Sequence, residues 1–230
     1  MKESPKAWSK WAYFSVMAGC AQFVVLTLLA MVAYPGGTHS DPTTKGYSFF
    51  RNFFSDLGLT ETFLGQPKPA SYLLFTIALT LAGIALIIFF SVFPKFFAQS
   101  KPGKWLGILG SIPGAISGMA YIGVAFTPGN LYGKQHELFV QIAFVAFFVA
   151  VLLYIIAILL NKNYPHSYAW VFVAFALILA VYIWLLFEGP STSTPNGLVI
   201  QATGQKIVVY AAIISMFLQA YGAWKIERSA

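Results

Sequence analysis

The chain has 230 residues, 58% of them hydrophobic, 17% aromatic and only 9% charged. A soluble domain carries about 25% charged residues, so this much apolar surface has to face lipid, which excludes a secreted domain, a cytosolic enzyme and a disordered chain. The net charge of +7 sits at the edges of apolar runs and forms no groove for nucleic acid, and the lone Cys20 excludes a disulfide framework or a CxxC metal or redox motif.

Six apolar runs approach the length needed to cross about 30 Å of hydrocarbon at about 1.5 Å per residue. The first, Ala12–Tyr34, follows Lys2, Lys6 and Lys10, but its apolar stretch is too long for a signal peptide and Met31 and Ala33 make a poor cleavage site. A long loop, Pro35–Pro69, comes next and opens on the turn Pro35-Gly36-Gly37. Within it, Ser48, Arg51, Asn52, Ser55 and Asp56 recur at i, i+3, i+4, i+7 and i+8. That is one face of a helix, with Phe49, Phe50, Phe53, Phe54 and Leu57 on the other and Gly58 as a stop. The pattern predicts a short amphipathic helix lying on or tucked into the membrane interface. Asp56 in its last turn opposes the helix dipole and calls for a partner, either Arg51 or a group on another loop. Two readings stand side by side: Asp56 fixes the loop by capping the turn Leu57–Thr60 or pairing with Arg51, or it is a carboxylate that faces a ligand.

The second and third runs are Ala70–Phe93 and Trp105–Thr127. In the third, Gly110, Gly114 and Gly118 form a continuous small face for close helix packing, within the chain or against a second copy of it, and Pro113 introduces a bend. The fourth, Leu138–Leu160, is preceded by Lys134, His136 and Glu137. Glu137 suits a helix N-terminus. His136 is either a capping or interfacial imidazole or a candidate general base. The fifth run is Ala169–Phe187. The sixth, Ile207–Trp224, follows the loop Glu188–Lys206, in which Thr203 is the expected N-cap and Lys206 either snorkels to the interface or meets a ligand. Gln22, Gln141 and Gln219 are expected to hydrogen-bond across helices.

Lysine and arginine settle the expected orientation. The side holding both ends of the chain carries nine bases against Glu3 and Glu227, whereas the other side carries five bases against five acids. The positive-inside rule then places both termini in the cytoplasm. Trp8, Trp11, Trp105, Trp170 and Trp224 fall at the same inner interface and Trp184 near the outer one, as an aromatic belt would. The expected fold is an all-α integral membrane protein: one domain over residues 1–230, six transmembrane helices, cytoplasmic termini and a short amphipathic helix in the first outer loop.

His39, His136 and His166 are too few and too dispersed for a histidine metal cage, and His136 and His166 fall at opposite membrane faces. No Walker A or GxSxG motif occurs. No metal and no cofactor is expected. The loop motif Asn52-x-x-Ser55-Asp56-Leu57-Gly58, the Gly-rich third run, its exit Phe126-Thr127-Pro128 and His136 at the fourth run occur in one order. In this the chain resembles a bacterial family of six-helix proteins catalogued as domain of unknown function nine-nine-eight. It is more distantly similar to the eukaryotic DRAM/Frag/Sfk membrane proteins, although Leu59-Thr60-Glu61-Thr62 stands where those often carry a Pro-Glu element. The resemblance implies a bacterial plasma membrane location and a polar site on the outer side around Ser55, Asp56 and His136. It also implies a link to membrane lipid.

Three functions follow from these residues. In the first, the chain binds or handles an outer-leaflet lipid or amphiphile, with Arg51, Asn52, Ser55, Asp56, Lys134, His136, Glu137 and Lys206 around an anionic headgroup and helix N-termini adding positive potential. In the second, it is a non-catalytic scaffold whose polar groups tie its own loops together. In the third, it is a lipid hydrolase or transferase in which Asp56 orients His136 as the base and Ser55 or a water attacks.

Overall fold

In hydrocarbon a backbone amide finds no water, so each long apolar run satisfies its own amides as a helix. The structure, a computed structural model, describes residues 5–229, with side chains described for residues 9–229. Lys2 and Glu3 lie outside the described residues, as do the side chains of Lys6 and Trp8. Six helices follow one another: α1 (Pro5–Val32), α2 (Pro69–Val92), α3 (Lys101–Phe126), α4 (Gly129–Leu160), α5 (Ser167–Glu188) and α6 (Pro195–Ser229). All six are long and apolar enough to cross a membrane.

Each helix packs against the next, and α1 closes on α6, so the helices form a ring. Side-chain amides and hydroxyls bonded to neighbouring backbones tie it together, as polar groups in lipid-facing bundles do. Gln22 of α1 donates to Ala78 O of α2 at 3.0 Å, Ser117 of α3 to Ala143 O of α4 at 2.8 Å, and Gln219 of α6 to Tyr168 O of α5 at 2.7 Å. Gln141 does not cross: half-buried, it donates to Glu137 of its own helix at 3.5 Å. Ser9 of α1 donates to Glu227 of α6 at 2.9 Å, and Glu227 pairs with Lys95 at 2.7 Å. The start of α1 and the end of α6 therefore share one face of the ring, here the terminus face. The opposite, loop face carries the segments 33–68, 127–128 and 189–194.

The small face of α3 is used inside the chain. A Cβ on Gly114 would collide with the Phe90 ring, one on Gly110 would press on Tyr154, and one on Gly118 on the Gly83 carbonyl. All three glycines are buried between α2 and α4.

Two sequence expectations change. The sixth helix starts twelve residues before Ile207, at Pro195, with Thr194 as its N-cap accepting from Gly197 N at 3.1 Å. Thr203 and Lys206 thus lie well inside α6. The apolar run understated the helix because its first turns face a polar loop instead of lipid. The amphipathic helix expected across residues 47–58 is also absent: only Ser55–Gly58 is helical, as a single 3₁₀ turn. The same polar spacing serves side-chain to backbone bonds, which compete with a helix.

Candidate functional site at the mouth of the ring

The segment 47–58 folds around Asn52, which is fully buried. Asn52 Oδ1 accepts from Ser48 N at 2.9 Å, while Nδ2 donates to Gly37 O at 2.8 Å and to Asp56 Oδ2 at 2.9 Å. Gly37 can present its carbonyl there because its φ of 92° suits glycine alone. Asp56 Oδ2 also accepts from Phe53 N at 3.0 Å. The Tyr47 hydroxyl donates to Asn52 O and Phe53 O at 3.2 and 3.0 Å. These bonds coil the loop into a plug.

Two buried lysines fasten the plug to the ring. Lys68, 3% exposed, donates to Asp56 O at 2.7 Å and Leu57 O at 2.9 Å, with its ammonium 4.8 Å from the centre of the Tyr34 ring. Lys206 of α6, 1% exposed, donates to Asn52 O and to Ala202 O, and its ammonium lies over the rings of Tyr47, Phe49 and Phe54. Gln205 accepts from Phe54 N at 2.7 Å, and Ser71 donates to Leu57 O at 3.0 Å. Four groups outside the plug thus hold its backbone. Burial pushes the Asp56 carboxyl above the ordinary carboxylate range, opposed by the Asn52 and Phe53 donors and by the charges of Lys206 and Lys68. Burial likewise brings Lys68 down to about 7, with Asp56 opposing.

The sequence-predicted site residues divide. Asn52, Ser55, Asp56 and Lys206 come together in or beside the plug. Lys206 does not snorkel, because the plug carbonyls offer its ammonium acceptors at depth. Arg51, Lys134 and Glu137 are exposed, and neither Arg51 nor His136 pairs with Asp56. Asp56 turns back on Asn52 and Phe53 and does not cap residues 57–60. His136, half-buried just past a break in α4 at Tyr132, spends Nδ1 on Thr127 O at 2.7 Å, a bond that requires the proton on Nδ1. No hydrogen bond joins Asp56 to His136, so the acid–base pair is not formed. Asn130 instead links α4 to the first loop through Thr60, at 2.8 and 3.2 Å. Lys68 and Gln205 were not among the sequence candidates. A lysine locked between Pro67 and Pro69 has little freedom to reach the interface, which is the signal Lys68 offered.

Below the plug the ring is incompletely filled. A cavity of about 40 Å³ is bounded by Ser55 and Phe54 of the plug and by Gln205, Tyr121 and Val209 of the ring. A second, of about 70 Å³, continues along Val209 and Tyr121 to Cys20, Phe147 and Met216. The two share Phe23, Leu79, Tyr121 and Val209 and so abut. From Gln205 to Met216 along α6 they extend about 16 Å at the helical rise. No charged residue lines either one. Among the described residues no group of three or more His, Cys, Asp or Glu could hold a metal ion.

These features define a polytopic membrane protein with a plugged ring and an apolar interior. The chain belongs to the family described as Protein of unknown function (DUF998), which matches residues 17–220 and so spans all six helices. Neither the curated proteins nor the solved structures yield a match.

Proposed function

We propose that the protein binds an amphiphile of the outer leaflet, with the hydrocarbon chain inside the ring and the polar end beneath the plug. One observation carries this reading: two abutting apolar cavities occupy about 16 Å of the transmembrane part of the ring and reach Ser55 and Gln205. Empty apolar cavities stay dry and accept apolar guests. The binding residues then differ from those the sequence favoured. Ser55 keeps a direct role, Asn52, Asp56 and Lys206 shape the plug, and Arg51, Lys134, His136 and Glu137 stand outside. The charge bias of the loops supports cytoplasmic termini and a plug on the opposite, outer face, and the family resemblance supports a bacterial plasma membrane.

The scaffold reading has its own support, because the polar groups of the plug satisfy one another. Lipid hydrolysis or transfer is the least supported, since Asp56 and His136 do not meet. Native mass spectrometry of the protein extracted gently with its own lipids separates the first two. Amphiphile binding gives a stoichiometric adduct in the wild type that disappears from folded Val209→Phe, in which a ring fills the wall shared by both cavities. A folded wild type with no adduct returns the scaffold reading.

A further inference from the structure

We infer that the amphiphile is a single-chain lipid with an uncharged, hydroxyl-type headgroup, as in a long-chain alcohol or a monoacylglycerol. This deepens the amphiphile-binding reading and rests on it. The first argument is charge. An anionic headgroup needs a free cation, yet both ammonium groups near the cavities are turned into the plug. Lys68 is held by Asp56 O and Leu57 O, and Lys206 by Asn52 O and Ala202 O. Neither lines a cavity, and no other charged residue does. Arg51 and Lys134 are exposed on the loop face. An ionised head under the plug would lie in an apolar site with nothing to neutralise it, which is costly.

The second argument is the polar groups that are present. Gln205 is engaged by Phe54 N and by the Tyr182 hydroxyl. Among the described residues the hydroxyls of Ser55 and Tyr121 have no hydrogen-bond partner, and both residues line the smaller cavity, whose wall is otherwise almost wholly apolar. Two neutral groups that each donate and accept suit an alcohol or an ester carbonyl. The third argument is width. The larger cavity, about 70 Å³, is about half the volume of a cavity that takes a benzene ring, yet the pair of cavities is drawn out along α6. At that volume the walls must part to take even one chain, and the paired chains of a diacyl phospholipid would have to part them further.

The test uses two photoreactive probes of equal chain length, each with a diazirine near the chain end. One carries a primary alcohol and the other a carboxylate, ionised at the working pH. Both are applied to the full-length protein in nanodiscs of zwitterionic lipid, and adducts are mapped by peptide mass spectrometry. The alcohol should label residues around Cys20, Phe147 and Met216, and the carboxylate at least about tenfold less. Ser55→Ala and Tyr121→Phe should each weaken alcohol labelling about threefold to tenfold, the worth of one hydrogen bond, without lowering the melting temperature. Val209→Phe should abolish labelling, and Ala82→Leu fills the same cavity should the first variant not fold. Interior labelling by the carboxylate equal to that by the alcohol would overturn the uncharged head and leave the amphiphile reading standing. Absence of interior labelling by either probe would overturn both. Labelling that persists in folded, cavity-filled variants would overturn the location.

Discussion

The two ends of the ring are closed by opposite chemistry. At the terminus face the interior is packed with rings. Phe93, fully buried, lies 4.4 Å from Phe89 and 5.0 Å from Tyr154 between centroids, and Tyr164 stands against Phe93, Phe96 and Phe97. At the loop face the interior is closed by backbone: a coiled segment whose carbonyls are held by Lys68, Lys206 and Ser71 and whose amide is held by Gln205. An aromatic plug depends on volume and is indifferent to protons. A carbonyl plug depends on donors and on their charge. The end held by a few directional bonds is also the end with unfilled space beneath it, and under the proposed function it is the end that admits the ligand.

Substitutions at the two ends should separate these mechanisms. Phe93→Ala removes a fully buried ring from the aromatic end and should cost about 3–5 kcal/mol. That loss should be the same at all pH values in reversible unfolding in mixed micelles. Lys206→Met keeps most of the side-chain volume but removes the ammonium that binds Asn52 O, and should cost about 2–3 kcal/mol. If Lys206→Met were neutral, the plug would not depend on that bond and the contrast between the ends would fail.

The effect expected of pH is the most diagnostic. In the unfolded chain Lys68 keeps its proton to about 10.5, but in the fold burial brings this to about 7. Between these values the unfolded state binds more protons than the folded state, so the Lys68 contribution to stability rises with pH. Asp56, pushed up by burial, acts in the opposite sense from the ordinary carboxylate range upward. The stability of the wild type relative to Lys68→Met should therefore climb as pH is raised above 7. A difference that stays flat across that range would mean that Lys68 is not buried against the plug as described.

The fold was largely legible because hydrophobic length alone defines membrane spans, and the first five runs agree with α1 to α5 to within a few residues at most ends. The main exceptions lie where polar residues continue a helix. α4 begins nine residues before Leu138 and α6 twelve before Ile207, because Asn130, Gln201 and Gln205 face loops and lower the apolar signal. The candidate site was legible in its residue types more than in its contacts. Spacing brought Asn52, Ser55 and Asp56 together but read their periodicity as a helix, when the same offsets serve turn bonds to Phe53 and Ser48. It could not show that Lys206 points inward, since a lysine at a helix end has acceptors at the interface unless a loop supplies better ones. The link between Lys68 and the Asp56 carbonyl depends on how the loop folds back, which no local pattern encodes. The cavities are a property of six helices packed together and have no sequence signature.

The proposed occupancy of the interior can be tested in place. The chain has five methionines. Met216 lines the larger cavity, whereas Met119 is exposed on the outside of α3. Protein labelled with ¹³C at the methionine methyls, assigned with Met216→Leu and titrated in nanodiscs with a long-chain primary alcohol, reports both positions at once. A chain inside the ring should move the Met216 signal saturably, at one alcohol per protein, while the Met119 signal stays in place. A Met216 signal that does not respond, or that drifts in step with Met119 without saturating, would mean that the alcohol only dissolves in the surrounding bilayer and that the ring holds no chain.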